Sequence, residues 1–254
     1  MVKAVPAALA DFFSGHPRLA LAFSGGVDSA YLLYAARACG CDVAAYCVQS
    51  AFQPAFERED ARRLAQQQGA AVRFIALDAL ADPVVRANPG DRCYHCKRRI
   101  FGALIDAARR DGFDTVIDGT NASDDAADRP GMRALGELNV LSPLRLCGIT
   151  KAQVRAYSRE AGLFTWDKPA YACLATRVPA GTALTGELLA RVEGAEAALF
   201  RLGFTDFRCR VFHGAARLQF RADQLDQAAA RRSDIRAALG PYFDIILLDT
   251  EDRG

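Results

Sequence analysis

The sequence has few lysines, a single tryptophan and no long hydrophobic run. Lysine occurs only at positions 3, 97, 151 and 168, so arginine supplies most of the 32 basic residues. Because 30 acidic residues balance them, the formal net charge is only +2, unlike the strongly basic surface of a dedicated nucleic-acid binder. The chain also lacks the roughly 20 consecutive apolar residues of a membrane-spanning helix. We therefore expect neither a nucleic acid nor a membrane as partner.

The N-terminal stretch MVKAVPAALADFFSGHP is too short for a secretory signal and is interrupted by Asp11. We therefore expect a cytoplasmic location. In that reducing compartment the eight cysteines are more often free, metal-bound or catalytic than paired in disulfides. The 254 residues suffice for one large domain or for a core domain with a smaller appendage.

Strand-like and helix-like segments alternate through the first part of the chain. Apolar runs of strand length fall at Arg18–Phe23, Asp42–Val48, Ala71–Ala76 and Thr115–Asp118, and helical patterns at Asp28–Ala38, Glu57–Gly69 and Lys97–Gly112. The segment SPLRLCGITKAQVRAYSREAGL predicts a short strand and then a helix capped by Thr150 and closed by Gly162. This alternation indicates βαβ units, and we predict an α/β domain over residues 1–180 with a doubly wound parallel sheet.

Residues 181–254 have a different pattern and predict a small C-terminal α+β domain. The predicted order is a helix to Gly203, strands at Phe207–Phe212 and Ala216–Phe220, a helix to Gly240, and a last strand at Tyr242–Leu248. About 70 residues is near the lower limit for an independently stable domain.

The stretch LAFSGGVDSA, residues 21–30, places small and acidic residues directly after an apolar run. It has neither the Gly-Lys-Ser/Thr ending of a P-loop nor the G-x-G-x-x-G of a dinucleotide-binding fold. It follows the first predicted strand and opens a helix, where open α/β sheets bind ligands. Gly25 and Gly26 allow close backbone approach to a phosphate, and Ser24 and Ser29 add hydroxyl donors. Asp28 beside a phosphate indicates a bridging magnesium ion.

Three cysteines lie in segments that favour reactivity or metal binding. Cys93 and Cys96 form a C-x-x-C in DRCYHCKRR, and Cys173 lies in WDKPAYACLATR between Lys168 and Arg177. Neighbouring cations lower the pKa of a thiol and raise its thiolate fraction. The remaining cysteines fall in or beside apolar patterns typical of buried side chains: Cys39, Cys41, Cys47, Cys147 and Cys209.

The C-x-x-C alone allows several interpretations. A zinc ribbon needs a second C-x-x-C, which is missing, although Cys173 and His95 would complete an unusual zinc set. A redox pair would require a different topology. Two cysteines and a distant third fit a [4Fe–4S] cluster with one open iron better than an electron-transfer cluster, which uses four cysteines. We favour Cys93, Cys96 and Cys173 as iron–sulfur ligands over zinc or unrelated thiols.

The segment Ser-Gly-Gly-Val-Asp-Ser resembles the pyrophosphate loop of the PP-loop adenine nucleotide α-hydrolase superfamily. This resemblance implies a HUP-type fold and a shared chemistry. An oxygen of the substrate attacks the α-phosphate of ATP, pyrophosphate leaves, and a nucleophile then displaces AMP. A loop that holds the leaving phosphates stabilises the charge that accumulates on them.

A more specific resemblance covers nearly the whole chain. The loop, DGTNASDDAADRPGMRA, SPL, TKAQVRAYSREAGL and WDKPAYACLATR resemble the ATP-dependent sulfur transferases of nickel-pincer nucleotide biosynthesis, the LarE family, which serve lactate racemase maturation. The resemblance implies that the carboxylates of pyridinium-3,5-biscarboxylic acid mononucleotide are adenylated and converted to thiocarboxylates. It also implies that Cys173 is the sulfur-bearing cysteine.

The sulfur source separates this chain from some members of that family. In those members the cysteine matching Cys173 gives up its own sulfur and becomes dehydroalanine, and the counterparts of Cys93 and Cys96 are not cysteines. Three cysteines are similar instead to the iron–sulfur members and to tRNA thiolases, where an open iron is thought to hold a sulfide. We favour cluster-borne sulfur over the sacrifice of Cys173.

The resemblance also implies a substrate-phosphate site in the C-terminal domain. Arg208 and Arg210 alternate along a predicted strand, so they share one face, where two guanidinium groups suit a phosphate and the alternative is a solvated face. In the family their counterparts, with an acid matching Glu196, form an anion site at a subunit contact. A further acid falls at or beside Asp226. We expect a homo-oligomer, a trimer or a hexamer.

A loop follows the predicted strand Thr115–Asp118, and it contains Asp124, Asp128 and Arg129. From residues alone it is a solvated turn, whereas the resemblance implies an active-site loop near the adenylate, with Asp128 as a magnesium ligand. Lys97, directly after Cys96, is either a phosphate-neutralising or a surface lysine.

Three other functions remain open for this chain. A tRNA thiolase would use the same cysteines, but it predicts a basic RNA-binding extension. An ammonia-dependent amidotransferase would leave the three cysteines without a role and would need an ammonia source. A non-catalytic ATP-binding sensor would release no pyrophosphate with any carboxylate substrate.

Overall fold

The computed structural model describes residues 5–124 and 130–251. Within these ranges no helix has the length and apolar character needed to cross a membrane. The helices are α1 (Ala7–Gly15), α2 (Val27–Ala38), α3 (Ala55–Gln67), α4 (Pro83–Ala87), α5 (Arg92–Arg110), α6 (Pro130–Glu137), α7 (Pro143–Leu146), α8 (Lys151–Glu160), α9 (Gly186–Arg201), α10 (Ala222–Ala230) and α11 (Arg232–Leu239). The strands are β1 (Arg18–Ala22), β2 (Asp42–Gln49), β3 (Val72–Ala76), β4 (Val116–Ile117), β5 (Arg208–Phe212), β6 (Ala215–Gln219) and β7 (Ile246–Leu248).

The described chain divides into two compact units. The second unit comprises Ala51–Pro54, Leu80–Gly90 and Pro169–Gly254, and the first unit comprises the rest. The division after Lys168 is earlier than the predicted boundary at residue 180. The reason is that the backbone around Cys173 hydrogen-bonds to arginines of the second unit, such as Arg210.

The first unit is built on a four-stranded sheet in the order β3-β2-β1-β4. All three strand pairings are parallel, and Leu141 adds a parallel bridge to Ile117. The chain builds β2 and β3 on one side of β1 and then places β4 on its other side. This reversal is the switch point at which open α/β sheets bind ligands.

Helices cover both faces of this sheet. Along β1, Leu19 and Leu21 face one layer and pack in a core with Leu32 of α2. Ala20 points to the other face and packs in a second core with Leu104 of α5. The alternation is the period-two pattern of a strand buried on both faces. The predicted α/β fold with a doubly wound parallel sheet is confirmed.

Two predicted elements differ from the structure. The segment SPLRL forms α7 and not a strand, because Ser142 precedes Pro143 at the first helical position, where the fixed φ of proline favours a helix. The single helix predicted before Gly240 is two helices that meet at Arg231. The guanidinium of Arg231 donates to the carbonyl of Leu202 at 2.7 Å, which fixes the break.

The second unit contains a three-stranded sheet in the order β5-β6-β7. β5 and β6 are antiparallel, and β6 and β7 are parallel. Helix α9 buries Leu189, Val192 and Leu199. The rings of Phe204, Phe207 and Phe220 are almost completely buried and contact one another. These aromatic side chains give the small unit a core of its own.

Candidate active site

The glycine loop connects β1 to α2 at the switch point. Gly25 has φ +77°, and a Cβ atom built on it would lie 2.9 Å from the Cα and Cβ atoms of Ala61 in α3. Both the left-handed backbone and the close helix therefore require glycine at this position. Gly26 precedes α2 as its N-terminal cap residue in an extended conformation.

Hydroxyl groups fold the loop onto itself. The buried Oγ of Ser29 accepts from the amide of Ser24 at 3.2 Å and donates to the carbonyl of Gly26 at 3.2 Å. The Oγ of Ser24, on an exposed residue, accepts from the amide of Gly26 at 3.3 Å. Ser29 therefore acts inside the loop, whereas Ser24 lies at its accessible side.

Asp28 in the first turn of α2 lies at the centre of a polar cluster. The Nζ atom of Lys151 lies 2.5 Å from Asp28 Oδ2, and Asn121 Nδ2 donates to Asp28 Oδ1 at 3.3 Å. Burial raises the pKa of Asp28 above its ordinary value, Lys151 opposes that rise, and Asp124 adds to it. The cluster therefore pairs one acidic group with a cation directly beside the glycine loop.

Sequence reasoning missed Lys151. This lysine is the first residue of α8, after the Thr150 cap and its reciprocal bonds with Gln153. A cation there is unfavourable because the N-terminal end of the helix dipole is positive. Lysine is rare in this chain, and Lys151 occupies a helix start where a cation is unfavourable. That combination was the sequence signal for a role in anion binding. Its backbone amide donates to Ser123 Oγ at 3.0 Å.

The loop after β4 completes this edge of the sheet. Asp118 accepts hydrogen bonds from the hydroxyls of Thr120 and Ser142, both at 2.6 Å. A Cβ on Gly119 would lie 3.0 Å from the Cβ of Asp28. The carboxylate of Asp124 accepts from the amide of Asn121 at 3.0 Å.

Asn121 thus bonds to both Asp124 and Asp28, and the assignment of Asp124 to an active-site loop stays a prediction. The other predicted residues of that loop, Asp128 and Arg129, lie outside the described residues.

The residues of this cluster fit a nucleotide phosphate with magnesium. The amide groups at the start of α2 and the ammonium of Lys151 are anion-binding groups. The carboxylate of Asp28 and the hydroxyl of Ser24 are oxygen donors, which magnesium prefers. The arrangement can hold the phosphate tail of ATP and balance its charge.

The C-x-x-C lies in the first turn of α5. Cys93 is exposed and Cys96 is half-buried, and the three-residue spacing places them on one face of the helix. Because α5 lies in the crossover from β3 to the parallel strand β4, it begins at the same sheet edge as the glycine loop. An Nη of Arg92 lies 3.6 Å from Cys93 Sγ.

Lys97, the residue after Cys96, lies against α6. Its Cδ atom would be 2.9 Å from a Cβ on Gly131. The glycine therefore makes room for the lysine stem.

The two thiols of the first unit fit two ligands of an iron–sulfur cluster. The third predicted ligand, Cys173, belongs to the second unit. Among the described residues no group of three or more His, Cys, Asp or Glu side chains is gathered for metal binding. The cluster therefore stays a prediction.

Cys173 lies in the second unit beside a buried ion pair. The guanidinium of Arg177 makes two hydrogen bonds to the carboxylate of Glu196, at 2.9 and 3.1 Å, and both side chains are inaccessible to solvent. The hydroxyl of Tyr171 also donates to Glu196. Burial and the carboxylate raise the pKa of Tyr171, so this tyrosine stays protonated.

Arg208 and Arg210 share a face of β5, as predicted. Arg208 is almost fully buried and donates to the carbonyl of Ala170 at 2.9 Å. Arg210 donates to the carbonyl of Thr176 at 2.9 Å and to the side chain of Gln219 at 2.6 Å. Both guanidinium groups therefore contact the backbone around Cys173, and their binding of a substrate phosphate stays a prediction.

The two cations that flank Cys173 in the sequence each pair with a carboxylate. Arg177 binds Glu196, and Lys168 lies 2.7 Å from Asp60 of α3, within the first unit. The sequence could not indicate these partners. Asp226, at or beside which the resemblance implies a further acid, is exposed on α10.

The remaining cysteines are poorly suited to nucleophilic chemistry. Cys47 and Cys209 are buried, and the other three are half-buried. Burial raises the pKa of four of these thiols: Cys39, Cys41, Cys147 and Cys209. A raised pKa lowers the thiolate fraction at neutral pH, which leaves Cys93, Cys96 and Cys173 as the candidates.

Comparisons with known proteins give several relatives, although no protein-family model matches the chain. An uncharacterized protein of Synechocystis sp. is 38% identical over 220 residues, which are 86% of this chain and 82% of that protein. The pyridinium-3,5-bisthiocarboxylic acid mononucleotide synthase of Lactiplantibacillus plantarum is 36% identical over 204 residues, 80% of this chain and 74% of that protein. The tRNA-specific 2-thiouridylase MnmA of Frankia alni is 31% identical over 60% of this chain and 53% of its own length.

The parallel sheet with a Ser-Gly-Gly-Val-Asp-Ser loop at its switch point, together with the similarity to a thiouridylase, defines a PP-loop protein of the adenine nucleotide α-hydrolase superfamily. Within that superfamily the chain belongs to the family of pyridinium-3,5-bisthiocarboxylic acid mononucleotide synthases, the LarE family. The resemblance noted in the sequence is thereby confirmed.

Proposed function

We propose that this protein is a sulfur transferase that converts the carboxylates of pyridinium-3,5-biscarboxylic acid mononucleotide to thiocarboxylates at the expense of ATP. The observation that carries the proposal is the 36% identity to a bisthiocarboxylic acid mononucleotide synthase over 80% of the chain. The polar cluster at the glycine loop supports the nucleotide part. The cysteines at Cys93, Cys96 and Cys173 support the sulfur part.

In the first step a substrate carboxylate oxygen attacks the α-phosphate of ATP, and pyrophosphate leaves. The backbone amides at Gly25 and Gly26 hold the β- and γ-phosphates, where negative charge accumulates on the leaving group. Lys151 neutralises part of that charge. Asp28 and, from the family resemblance, Asp128 would hold a magnesium ion, which would supply Lewis-acid chemistry at the phosphates. The product is an acyl-adenylate.

In the second step a sulfur nucleophile attacks the activated acyl carbon, and AMP leaves. If Cys173 is the donor, its thiolate forms a thioester with the substrate. Loss of the cysteine α-proton to a base then breaks the Cβ–S bond, leaving dehydroalanine and the thiocarboxylate. If Cys93, Cys96 and Cys173 held a [4Fe–4S] cluster, the cluster would supply the sulfide and Cys173 would survive turnover. The second route is our preferred one.

The test is an assay with the two half-reactions measured separately. Purified protein is incubated with ATP, magnesium and the biscarboxylate mononucleotide; pyrophosphate is measured by enzyme coupling, and the product by mass spectrometry. We expect pyrophosphate release that depends on the substrate, and a product heavier by the exchange of oxygen for sulfur. Lys151→Met should slow pyrophosphate release by at least tenfold, the effect of losing one charge-assisted contact to the leaving group.

The matched control is Lys168→Met, which removes a lysine paired with Asp60 and not with Asp28. Release of pyrophosphate without dependence on the carboxylate, or no release at all, contradicts the proposal.

The second candidate function is thiolation of tRNA. It is favoured by the 31% identity to a tRNA-specific 2-thiouridylase over 60% of the chain, and disfavoured by a net charge of only +2, since nucleic-acid binding domains are usually strongly basic. The same assay with bulk tRNA as substrate distinguishes between the two functions. Thionucleosides detected after digestion would support this candidate over the mononucleotide.

A further inference from the structure

The Cys173 loop, residues 170–176, is held by arginine side chains through its own backbone. Three arginines of the second unit donate hydrogen bonds to carbonyls of this loop: Arg208 to Ala170, Arg177 to Ala172 and Arg210 to Thr176, each at 2.9 Å. Arg177 makes a further contact to the carbonyl of Cys173 at 3.5 Å. Hydrogen bonds from an ionised donor are stronger than neutral ones, so the loop has charged restraints at both ends and near its middle.

The central arginine of this arrangement is itself fixed. Arg177 is fully buried and is held by both carboxylate oxygens of Glu196. Glu196 also accepts from the hydroxyl of Tyr171 and from the backbone amide of Cys209, the latter at 2.8 Å. Burial would lower the pKa of Arg177, but Glu196 raises it above its ordinary value. The guanidinium therefore stays charged inside the unit.

A buried ion pair is a weak source of stability, because removing two charges from water offsets most of their attraction. Its best-attested use is to specify one arrangement among several. Here the arrangement that it specifies is a loop with a single thiol at its centre, Cys173. That thiol is half-buried, and its placement depends on backbone carbonyls to which the three arginines donate.

We propose that Arg177, Glu196 and Arg210 are positioning residues that fix the Cys173 loop in the conformation from which sulfur transfer to the acyl carbon occurs. The restraint of the loop stands on geometry alone, and the link to sulfur transfer rests on the proposed function. Glu196 and Arg210 thereby have a role that does not require contact with a substrate phosphate. Arg208 restrains the loop at its first residue in the same way.

The first test measures the loop directly. The amides of Leu174 and Thr176 donate to the carbonyls of Phe52 and Cys173, at 2.9 and 3.0 Å, so their hydrogen exchange reports whether the loop is held. In Arg177→Lys, which keeps the charge but loses the planar fork, and in Arg210→Lys, exchange of these amides should become about tenfold faster, as expected for loss of one hydrogen bond to a charged group.

The matched control is Arg191→Lys. Arg191 belongs to the same unit, donates to the carbonyl of Tyr242 at 3.0 Å and lies over the ring of Phe243, and neither of these contacts involves the Cys173 loop. Exchange of the loop amides should be unchanged in this variant. Alkylation of Cys173, scored by peptide mass spectrometry against Cys93 in the same molecule, should accelerate only in the two loop variants.

The second test separates positioning from general damage. In Arg177→Lys, release of pyrophosphate should be retained while formation of the thiocarboxylate falls about tenfold, because only the sulfur step uses the loop. Equal losses in both half-reactions overturn the positioning role. Unchanged loop exchange in Arg210→Lys, or exchange that accelerates equally throughout the unit, also overturns it.

If Arg177→Lys fails to fold, exchange of the loop amides in Arg210→Lys decides alone, since Arg210 is only half-buried. The exchange measurement needs no substrate. A failure of the proposed sulfur transfer therefore leaves the restraint of the loop intact, and a failure of the restraint leaves the sulfur transfer standing.

Discussion

Gly25 is constrained both by its backbone conformation and by a neighbouring helix. In Gly25→Ala the new Cβ atom would lie 2.9 Å from Ala61 with the backbone at φ +77°. The left-handed conformation alone costs about 1–3 kcal/mol, and displacement of α3 adds to this. We expect a free energy of unfolding, measured in urea, that falls by more than the backbone cost, together with weaker ATP binding.

Gly40→Ala provides the control for this substitution. Gly40 has φ +79°, and no atom lies within 4 Å of a Cβ built on it. This variant should lose only the backbone contribution and keep ATP binding. Equal unfolding free energies for the two variants would show that contact with α3 is unimportant for the shape of the glycine loop.

Residues of the site that lie close together in the sequence could be predicted, and distant partners could not. The loop from Ser24 to Ser29 is one continuous segment with a recognisable composition. By contrast, Lys151 and Asn121 reach Asp28 from 123 and 93 positions away. Their pairing depends on how β4 and α8 pack beside β1, which no local pattern encodes.

Tyr46 joins two elements that are separate in the sequence. From β2 its hydroxyl donates to Asp111, at the end of α5, at 2.7 Å, and Arg73 of β3 contacts the same carboxylate at 2.5 Å. Burial and the bond to Asp111 raise the pKa of Tyr46 from 10.0 to about 12. The folded protein therefore keeps this proton at a pH at which the unfolded chain releases it.

This difference makes stability depend on pH in a defined direction. Between pH 10 and about 12 the unfolded state binds fewer protons than the folded state, so the contribution of Tyr46 is complete below pH 10 and is lost as pH rises through that range. Tyr46→Phe should be about 1 kcal/mol less stable at pH 8, and the gap to the native protein should narrow above pH 10. Urea unfolding at a series of pH values measures it.

The control for this experiment is Tyr94→Phe. The hydroxyl of Tyr94 also donates to a carboxylate, that of Glu137 at 2.7 Å, but at an exposed position. Stability curves of native protein and Tyr46→Phe that run parallel from pH 8 to pH 11.5 would contradict the argument.

At the level of elements, the apolar pattern of the sequence predicts strands well and the breaks between helices poorly. β1, with its central residues buried on both faces, has the continuous apolar run that is typical of a central parallel strand. The break between α10 and α11 at Arg231 depends on a hydrogen bond to Leu202, 29 residues away. The sequence predicts a strand where α7 lies, because an apolar run of four or five residues fits a strand or a helix equally well.

For the whole molecule, two short internal segments of the chain belong to the second compact unit, and no local sequence pattern indicates this. Leu80–Gly90 belongs to the second unit because Asn88 donates to the carbonyls of Pro179 and Thr182, at 2.8 and 3.1 Å. Phe52 joins it through its carbonyl, which accepts from the amide of Leu174. Neither the composition nor the periodicity of these two short segments differs in a way that would assign them to the second unit.

The sulfur source is a question about the whole molecule, because the three candidate cysteines are distributed over both units. We expect protein purified without oxygen to contain about four iron and four sulfide per chain, the composition of a [4Fe–4S] cluster. Cys93→Ala, Cys96→Ala and Cys173→Ala should each lose most of the iron. Cys147→Ala, which removes a thiol whose pKa is raised by burial, should keep it.

The decisive measurement combines metal content with the mass of the protein after turnover. Iron that is lost in all three variants, together with an unchanged mass at Cys173, supports sulfur delivered by the cluster, and the enzyme then turns over repeatedly. Iron content that is equal in native protein and the three variants contradicts the cluster. Loss of one hydrogen sulfide from Cys173 assigns the sulfur to that cysteine. A protein that consumes its own cysteine as the sulfur donor transfers at most one sulfur atom per chain.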